Sequence, residues 1–501
     1  MSALPIHSVR GIRAIEQSLP NAQPSLMERA GRAAALDAVR LLAPRPGPVL
    51  VACGPGNNGG DGFVVARELC QAGHEVTVAF ADDAARLPAD AARAHADFLR
   101  AGGATVGDLP SAPACGWALV VDALFGIGLQ RPPEGRHAAW IEALNALPAA
   151  KLAIDTPSGL DADTGHRLGV CLRATHTTTF IALKPGLLTL DGPDYCGEIS
   201  LQTLGIDPAA HVAANGHRIE RGLFAAQLHP RLRNTHKGLF GDACVLGGAT
   251  GMAGAVLLAA RAALWLGAGR VYACFLDPAA PRVDPVHPEL MLRSATRLPE
   301  RLRALAVGPG LGISADAERL LQAAIERDIP LLLDADALNI VSRWSKLTNV
   351  LKARRTATIL TPHPAEAGRL LGVSTAEIQG DRVAATLKLA CDYRACVVLK
   401  GCGSVVATPD GRWFINTTGN SGMASAGMGD VLSGLVLALI AQGWPAEQAL
   451  LAAVHLHGAA ADRLKTAGAG PVGLTAGETI PAARKLFNDW LYGRAEADCP
   501  Q

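Results

Sequence analysis

The stretch VLVACGPGNNGGDGFVVARELCQAGHEVTVAF, residues Val49 to Phe80, decides the fold. VLVAC (Val49–Cys53) is an apolar run of strand length, and it enters a turn crowded with glycine and asparagine, GPGNNGGDG (Gly54–Gly62). FVVARELCQAG then reads as a helix ending at Gly73, and EVTVAF (Glu75–Phe80) as the next strand. Strand, glycine turn, helix and strand form a βαβ unit, which requires a parallel sheet. Upstream, Leu26–Leu42 has helical periodicity and is stopped by Pro44, Pro46 and Pro48. Downstream, ALVVDAL (Ala118–Leu124) and KLAIDTPSG (Lys151–Gly159) each run into an aspartate followed by a glycine-bearing turn. Ligands of open α/β sheets bind beyond the carboxyl ends of strands, so Asp122 and Asp155 are expected at the same crevice as the glycine turn.

Irregular polar sequence from Gly205 to Gly222 marks a boundary, after which the alternation restarts. Strand-like runs stand at Ala243–Gly248, GRVYACF, Leu305–Gly312, Pro330–Leu338, TILTPHPAE, CVVLKGCGS and VVATPDGRWFIN, with a long Ala-rich helix after the first. A second glycine loop of different design, NSGMASAGMGD (Asn420–Asp430), lies about 370 residues beyond the first. One mononucleotide unit spans about 30 residues, so the chain carries two sites. The two halves show no repeat, and a fusion of two α/β domains is the reading.

Composition narrows the function. The 501 residues have a formal charge of +1, with 49% apolar and 18% charged residues. Near neutrality removes the electrostatic footprint of a nucleic-acid or anionic-membrane binder. The 11 cysteines form no CxxC pair, and the odd number argues against a disulfide framework or structural zinc; a reducing cytoplasm is expected. The N-terminal sequence has no signal-peptide core. Met252–Gly269 is the nearest thing to a membrane span, but Arg261 at its centre and the many Ala and Gly make it a buried helix.

The motifs each admit a structural and a chemical reading. In the first turn, Gly59, Gly60 and Gly62 give backbone NH groups access to a phosphate at a helix start. Asp122 and Asp155 read either as helix caps or, with Ser158 nearby, as an oxygen pocket for a monovalent or divalent cation. KGCGS (Lys400–Ser404) follows a strand and is a candidate phosphate turn. GMGDVLSG (Gly427–Gly434) is the stronger one: Gly427 and Gly429 bare the start of an apolar helix as an anion hole, and Asp430 stands in its first turn. That carboxylate either complements the helix dipole or deprotonates a hydroxyl that attacks a phosphoryl group. His363, between two prolines, reads as a ligand contact or as a structural histidine. A conventional nicotinamide dehydrogenase is set aside, the first glycine turn being read as distinct from a dinucleotide fingerprint.

The order of motifs resembles the bifunctional NAD(P)H-hydrate repair enzymes over nearly the whole chain. LMERAG, GPGNNGGDG, VDALFGIG and IDTPSGLDADTG resemble the epimerase domain; HKGLFGDACVLGG, MAGAVLLAARAAL, GPGLG, DADAL, TPHPAE, KGCGS and NTTGNSGMASAGMGDVLSG resemble the dehydratase. Departures are small: Val256 stands where many relatives have proline, and Ala365 where they often have glycine. The resemblance implies a Rossmann-like parallel sheet in a three-layer epimerase domain (1–215) and a ribokinase-like α/β dehydratase domain (222–495). It implies that the epimerase substrate meets Asn57, Asn58, Gly59, Gly60, Asp61, Gly126, Ile127, Gly128, Leu129, Gln130, Arg131, Pro132 and Asp155. It also implies K+ held by Asn58, Asp122 and Ser158. The dehydratase would hold the hydrate with Ala255, Gly310, His363 and Asp430, and ADP or ATP, with Mg2+, through Lys400, Gly401, Cys402, Gly403, Ser404 and Gly429. Catalysis would rest on Asp430 and on Asp155 as proton shuttle. The implied substrates are NADHX and NADPHX, with no nucleic acid and no membrane partner, in a homo-oligomer. The alternative is a ribokinase-like small-molecule kinase fused to a non-catalytic dinucleotide-binding module.

Overall fold

The computed structural model describes residues 3–20 and 22–493. The chain divides into two compact units, one over residues 4–216 and the other from residue 217 onward. The expected end of the second domain at residue 495 lies outside the described residues.

In the first unit, helices α1 (Val9–Gln17) and α2 (Leu26–Leu42) precede β1 (Val49–Cys53), α3 (Asn57–Gln71), β2 (Val76–Phe80), α4 (Ala89–Arg100) and β3 (Thr105–Val106). Then come β4 (Leu119–Ala123), α5 (Gly135–Ala146), β5 (Ala150–Ile154), β6 (His176–Phe180) and β7 (Glu198–Gln202). The seven strands are ordered β3-β2-β1-β4-β5-β6-β7, and every pairing is parallel. All five residues of β1 are buried because both faces are covered. Val49, Val51 and Cys53 pack with the apolar sides of α2, α3 and α4, and Leu50 and Ala52 pack with Trp140 and Leu144 of α5.

The glycine turn differs from its sequence reading. Helix α3 does not follow the motif; it starts inside it, at Asn57. A Cβ on Gly59 would lie 2.0 Å from the Gly54 carbonyl oxygen, one on Gly60 2.6 Å from Met27 Cε, and one on Gly62 2.5 Å from Ala123 Cβ. These glycines let the first turns of α3 press onto β1, β4, α2 and α4, so close packing accounts for them before any ligand does.

In the second unit, β8 (Asp242–Gly247), α6 (Ala253–Trp265), β9 (Arg270–Phe275), β10 (Met291–Ser294), β11 (Ala304–Val307) and β12 (Leu331–Leu333) lead to α7 (Asp336–Arg343). They continue through β13 (Thr358–Leu360), α8 (Pro364–Leu371), α9 (Arg382–Tyr393), β14 (Cys396–Leu399), β15 (Val405–Ala407), β16 (Trp413–Ile415) and α10 (Met428–Ala441). The strands run β16-β15-β14-β13-β12-β11-β8-β9-β10, parallel except for the antiparallel β14–β15–β16 meander. The apolar stretch around Met252–Gly269 is α6, packed so closely on α10 that a Cβ on Gly434 would sit 2.1 Å from the Ala259 carbonyl oxygen. Its central Arg261 forms a two-point ion pair with buried Asp284, at 2.7 and 2.8 Å. Among the described residues no helix is long and apolar enough to cross a membrane.

Candidate functional site

Strand order reverses between β1 and β4 in the first unit and between the parallel strands β8 and β11 in the second. The crevice outside the carboxyl ends of strands at such a point is where open α/β sheets bind ligands, and the candidate residues gather there.

In the first unit, Asp122 is the penultimate residue of β4 and is fully buried. It accepts hydrogen bonds from the Ser158 hydroxyl at 2.6 Å, the Ser158 amide at 2.8 Å and the Leu124 amide at 3.2 Å. The Ser158 Oγ also accepts from the Phe125 amide at 2.8 Å, which ties the turn after β4 to the turn after β5. Burial pushes the Asp122 carboxyl up to about 6, against the lowering effect of these donors. Asn58, in the first turn of α3, is 9% exposed, and its Nδ2 is buried without a hydrogen-bond partner. Asn58, Asp122 and Ser158 supply hard oxygens and a single negative charge, a set that suits a monovalent cation better than a divalent one.

Asp155 follows β5 with a φ of 65°, a left-handed conformation that aspartate tolerates better than most residues. Its Oδ2 accepts from the Ile127 amide at 3.2 Å. A Cβ on Gly126 would stand 2.9 Å from Asn58 Oδ1 and 3.1 Å from Asp155 Oδ2, so a larger residue would separate these two groups. Leu129 closes a turn onto the Gly126 carbonyl, while Gly128, Gln130, Arg131 and Pro132 are exposed. Asp61 is pushed well above the usual carboxylate range by burial first, then by Asp155 and Glu16. Asn58, Asp61, Gly126, Ile127 and Asp155 therefore gather at one crevice, whereas Gly59 and Gly60 face Gly54, Met27 and Ala91. Sequence reading missed Lys184, whose Nζ lies 2.7 Å from Asp155 Oδ1. No apolar run flagged it: the strand before Lys184 reads HTTTF (His176–Phe180), unlike the apolar runs that had singled out Asp122 and Asp155.

One sequence argument fails. Gly54, Gly56 and Gly59 stand at G-x-G-x-x-G spacing between a strand and a helix, so spacing alone does not separate this turn from a dinucleotide fingerprint.

In the second unit, the loops after β8 and β11 are stitched together, the Ala249 amide donating to the Gly310 carbonyl at 2.6 Å. Gly310 has a φ of 56°, and a Cβ there would lie 2.7 Å from Met252 Cβ and 3.4 Å from Ala255 Cβ, which places Ala255 and Gly310 side by side. His363 is the N-cap of α8: its Nδ1 accepts from the Ala365 and Glu366 amides at 3.1 and 3.4 Å, and Glu366 returns the bond to the His363 amide at 2.8 Å. Burial, then Lys400 and Arg369, lower its pKa, and an Nδ1 that accepts these amides leaves the ring proton on Nε2. The histidine thus has a structural role whether or not it meets a ligand.

Asp430 is the third residue of α10, and Gly427 starts that helix with a φ of 87°. Burial first, and then Asp334, push Asp430 up to about 6, Lys400 partly opposing them. Lys400 points inward: Nζ lies 2.8 Å from Asp334 Oδ1 and 4.0 Å from Glu366 Oε2. Asp334 Oδ2 accepts from the Ser433 hydroxyl at 2.8 Å, pinning α10 to the end of β12. Gly429 lies close to that ammonium, a Cβ there standing 3.3 Å from Lys400 Nζ. Between Asp334 and Asp336, Ala335 has a φ of 50°, a strained conformation of the kind found at functional sites. Gly401 and Ser404 close the KGCGS turn through the Ser404 hydroxyl, and buried Arg382 donates from beneath to the Leu399 and Lys400 carbonyls at 3.2 and 3.4 Å. Cys402 is exposed and Gly403 part-exposed on that turn. Asp334, Glu366, Ser433 and Arg382 carried no assignment in the sequence reading; DADAL and TPHPAE were the visible hints.

Comparison with known proteins follows the same division. The YjeF-related protein N-terminus family matches residues 23–186, and the NAD(P)H-hydrate dehydratase family matches residues 243–480. The bifunctional NAD(P)H-hydrate repair enzyme Nnr of Coxiella burnetii is 39% identical over 472 residues, covering 92% of this chain and 94% of the relative. That of Escherichia coli K12 is 40% identical over 478 residues, covering 92% and 89%. The crystal structure of the ADP/ATP-dependent NAD(P)H-hydrate dehydratase of Bacillus subtilis, co-crystallized with ATP/Mg2+, is 31% identical, covers 55% of this chain and 98% of its own, and has a TM-score of 0.48.

Proposed function

The chain belongs to the bifunctional NAD(P)H-hydrate repair enzymes, and from that premise we propose that its two crevices divide the repair of hydrated NADH and NADPH between them. The first unit interconverts the R and S forms of the C6 hydrate, and the second dehydrates the S form with ADP or ATP as phosphoryl donor. The observation that carries this reading is Asp430: a carboxylate raised to about 6, in the first turn of α10, next to the bare amides of Gly427 and Gly429.

Hydroxide is a poor leaving group, and phosphorylation makes it a good one. Asp430 takes the C6 hydroxyl proton, and the oxygen attacks the terminal phosphoryl of the nucleotide. The start of α10 faces the charge on the transferred group. Phosphate then leaves as the ring nitrogen pushes its electron pair, and loss of a C5 proton restores the 5,6 double bond. Lys400 to Ser404 hold the nucleotide, with the Lys400 ammonium balancing Asp334 and Glu366 beside it. Among the described residues no cluster of three His, Cys, Asp or Glu side chains could hold a metal ion, so Mg2+ fits as an ion carried on the nucleotide phosphates, where it offsets their charge.

In the first unit Asp155 is the proton shuttle, with the substrate along Asn57 to Asp61 and Gly126 to Pro132. K+ held by Asn58, Asp122 and Ser158 would order these turns and supply no reaction chemistry.

The test follows dihydronicotinamide absorbance when the protein meets mixed R and S NADHX with K+ and ADP, ATP or neither. Nucleotide-dependent recovery of both epimers is expected. Recovery of the S fraction alone removes the epimerase assignment, and accumulation of a stable phosphoester in place of NADH turns the second unit into a small-molecule kinase.

A further inference from the structure

Lys184 is fully enclosed, and its ammonium has three partners: Asp155 Oδ1 at 2.7 Å, Thr179 Oγ1 at 2.8 Å and the Phe180 carbonyl at 2.9 Å. An ammonium has three N–H bonds, so none is left for a substrate. Its effect passes through Asp155. One carboxylate oxygen is clamped by Lys184, and the other, Oδ2, faces the turn at Gly126 and Ile127. We propose that Lys184 is a positioning residue of the epimerase, holding the Asp155 carboxylate so that Oδ2 accepts the C6 hydroxyl proton; this rests on the assignment of Asp155 made above.

Stability does not explain the pair. A buried ion pair is commonly no better than well-packed apolar residues of the same volume, so its presence at the crevice fits a chemical use. Burial, and then Asp155 and Glu16, push the neighbouring Asp61 well above the usual carboxylate range. In the hydrated ring, C6 carries both the hydroxyl and N1. Oδ2 takes the hydroxyl proton, the oxygen pair closes a C6 carbonyl, and the C6–N1 bond breaks with its electrons on N1, to which Asp155 returns the proton. Rotation of the aldehyde and the reverse sequence on its other face yield the other epimer, with no net gain or loss of atoms or electrons.

The experiment uses the full chain. S NADHX without nucleotide is followed by chromatographic separation of the epimers, and the same preparation is assayed for dehydration with ADP. Lys184→Met is expected to lower kcat of exchange by about 10²-fold or more while KM stays within about threefold. Dehydration in the second unit reports the amount of active chain, and a thermal transition of the first unit matching the native one reports that this unit is folded. Added to Asp155→Asn, Lys184→Met costs less than about threefold more, because the two changes remove one function. Exchange by Lys184→Met within about threefold of the native rate, or losses that multiply independently in the double variant, overturns the proposal. Where Lys184→Met does not fold, Thr179→Val frees Lys184 from one anchor without unpairing a charge; it is expected to lower kcat several-fold at constant KM, and an unchanged kcat overturns the proposal. Full exchange by Asp155→Asn instead removes the Asp155 assignment itself.

Discussion

Replacing Asp430 by asparagine is expected to abolish dehydration while making the second unit more stable. The carboxyl is raised from 3.8 to about 6, with burial the largest cause and Asp334 the next. At 1.36 kcal/mol per unit, the ionised form destabilises the folded state by about 3 kcal/mol. The folded pKa lies above the unfolded one, so between them the folded state binds more protons, and stability falls as pH rises through that window. The penalty is complete above about pH 6.5 and absent below about pH 3.5. Asp430→Asn escapes it, gaining up to about 3 kcal/mol at pH 7.5 and about half of that at pH 5. Urea unfolding followed by tryptophan fluorescence measures this, because Trp265, Trp344, Trp413, Trp444 and Trp490 all lie in the second unit. Dehydration of S NADHX should meanwhile fall by about 10²-fold or more. An asparagine variant no more stable than native at pH 7.5, or a gain that is the same at both pH values, would refute the desolvation argument. Near-normal turnover would refute the base.

Three further outcomes follow from the geometry. The native dehydration rate should decline on the acid side with a midpoint near the Asp430 value of about 6, read from single-turnover rates between about pH 4.5 and 8; a plateau persisting to pH 5 excludes this carboxylate as the base. Gly59→Ala places a methyl 2.0 Å from the Gly54 carbonyl oxygen and should destabilise the first unit by about 2 to 3 kcal/mol, seen as an earlier thermal transition with dehydration retained. Arg382→Met removes the donors under the Leu399 and Lys400 carbonyls and should raise the KM for ADP about tenfold, by loosening the KGCGS turn; an unchanged KM separates Arg382 from the nucleotide site.

Much of this was legible before any coordinates. Leu26–Leu42 is a helix over the span its periodicity predicts, and Val49–Cys53 is a buried strand. The rule that places ligands beyond strand ends put Asp122 and Asp155 at one crevice, where the structure also has them. What sequence left open is local and has a cause. Glycine in GPGNNGGDG was read as access for a phosphate, whereas a missing side chain serves close helix packing equally well, and sequence does not distinguish the two uses. His363 read as a ligand contact or as a structural histidine, and its capping bonds to the amides of Ala365 and Glu366 are something no residue pattern displays.

Sequence by itself determined the two α/β halves, because periodicity, strand length and glycine punctuation are local properties of the chain. Only the tertiary structure decided which side chains meet. Lys184 and Asp155 are 29 residues apart, Lys400 and Asp334 are 66 apart, and Ser433 and Asp334 are 99 apart. Each pair is joined because strand order brings distant strand ends and helix starts together. That order is set by burial of whole sheet faces, and burial sums over contacts that no short stretch of sequence contains.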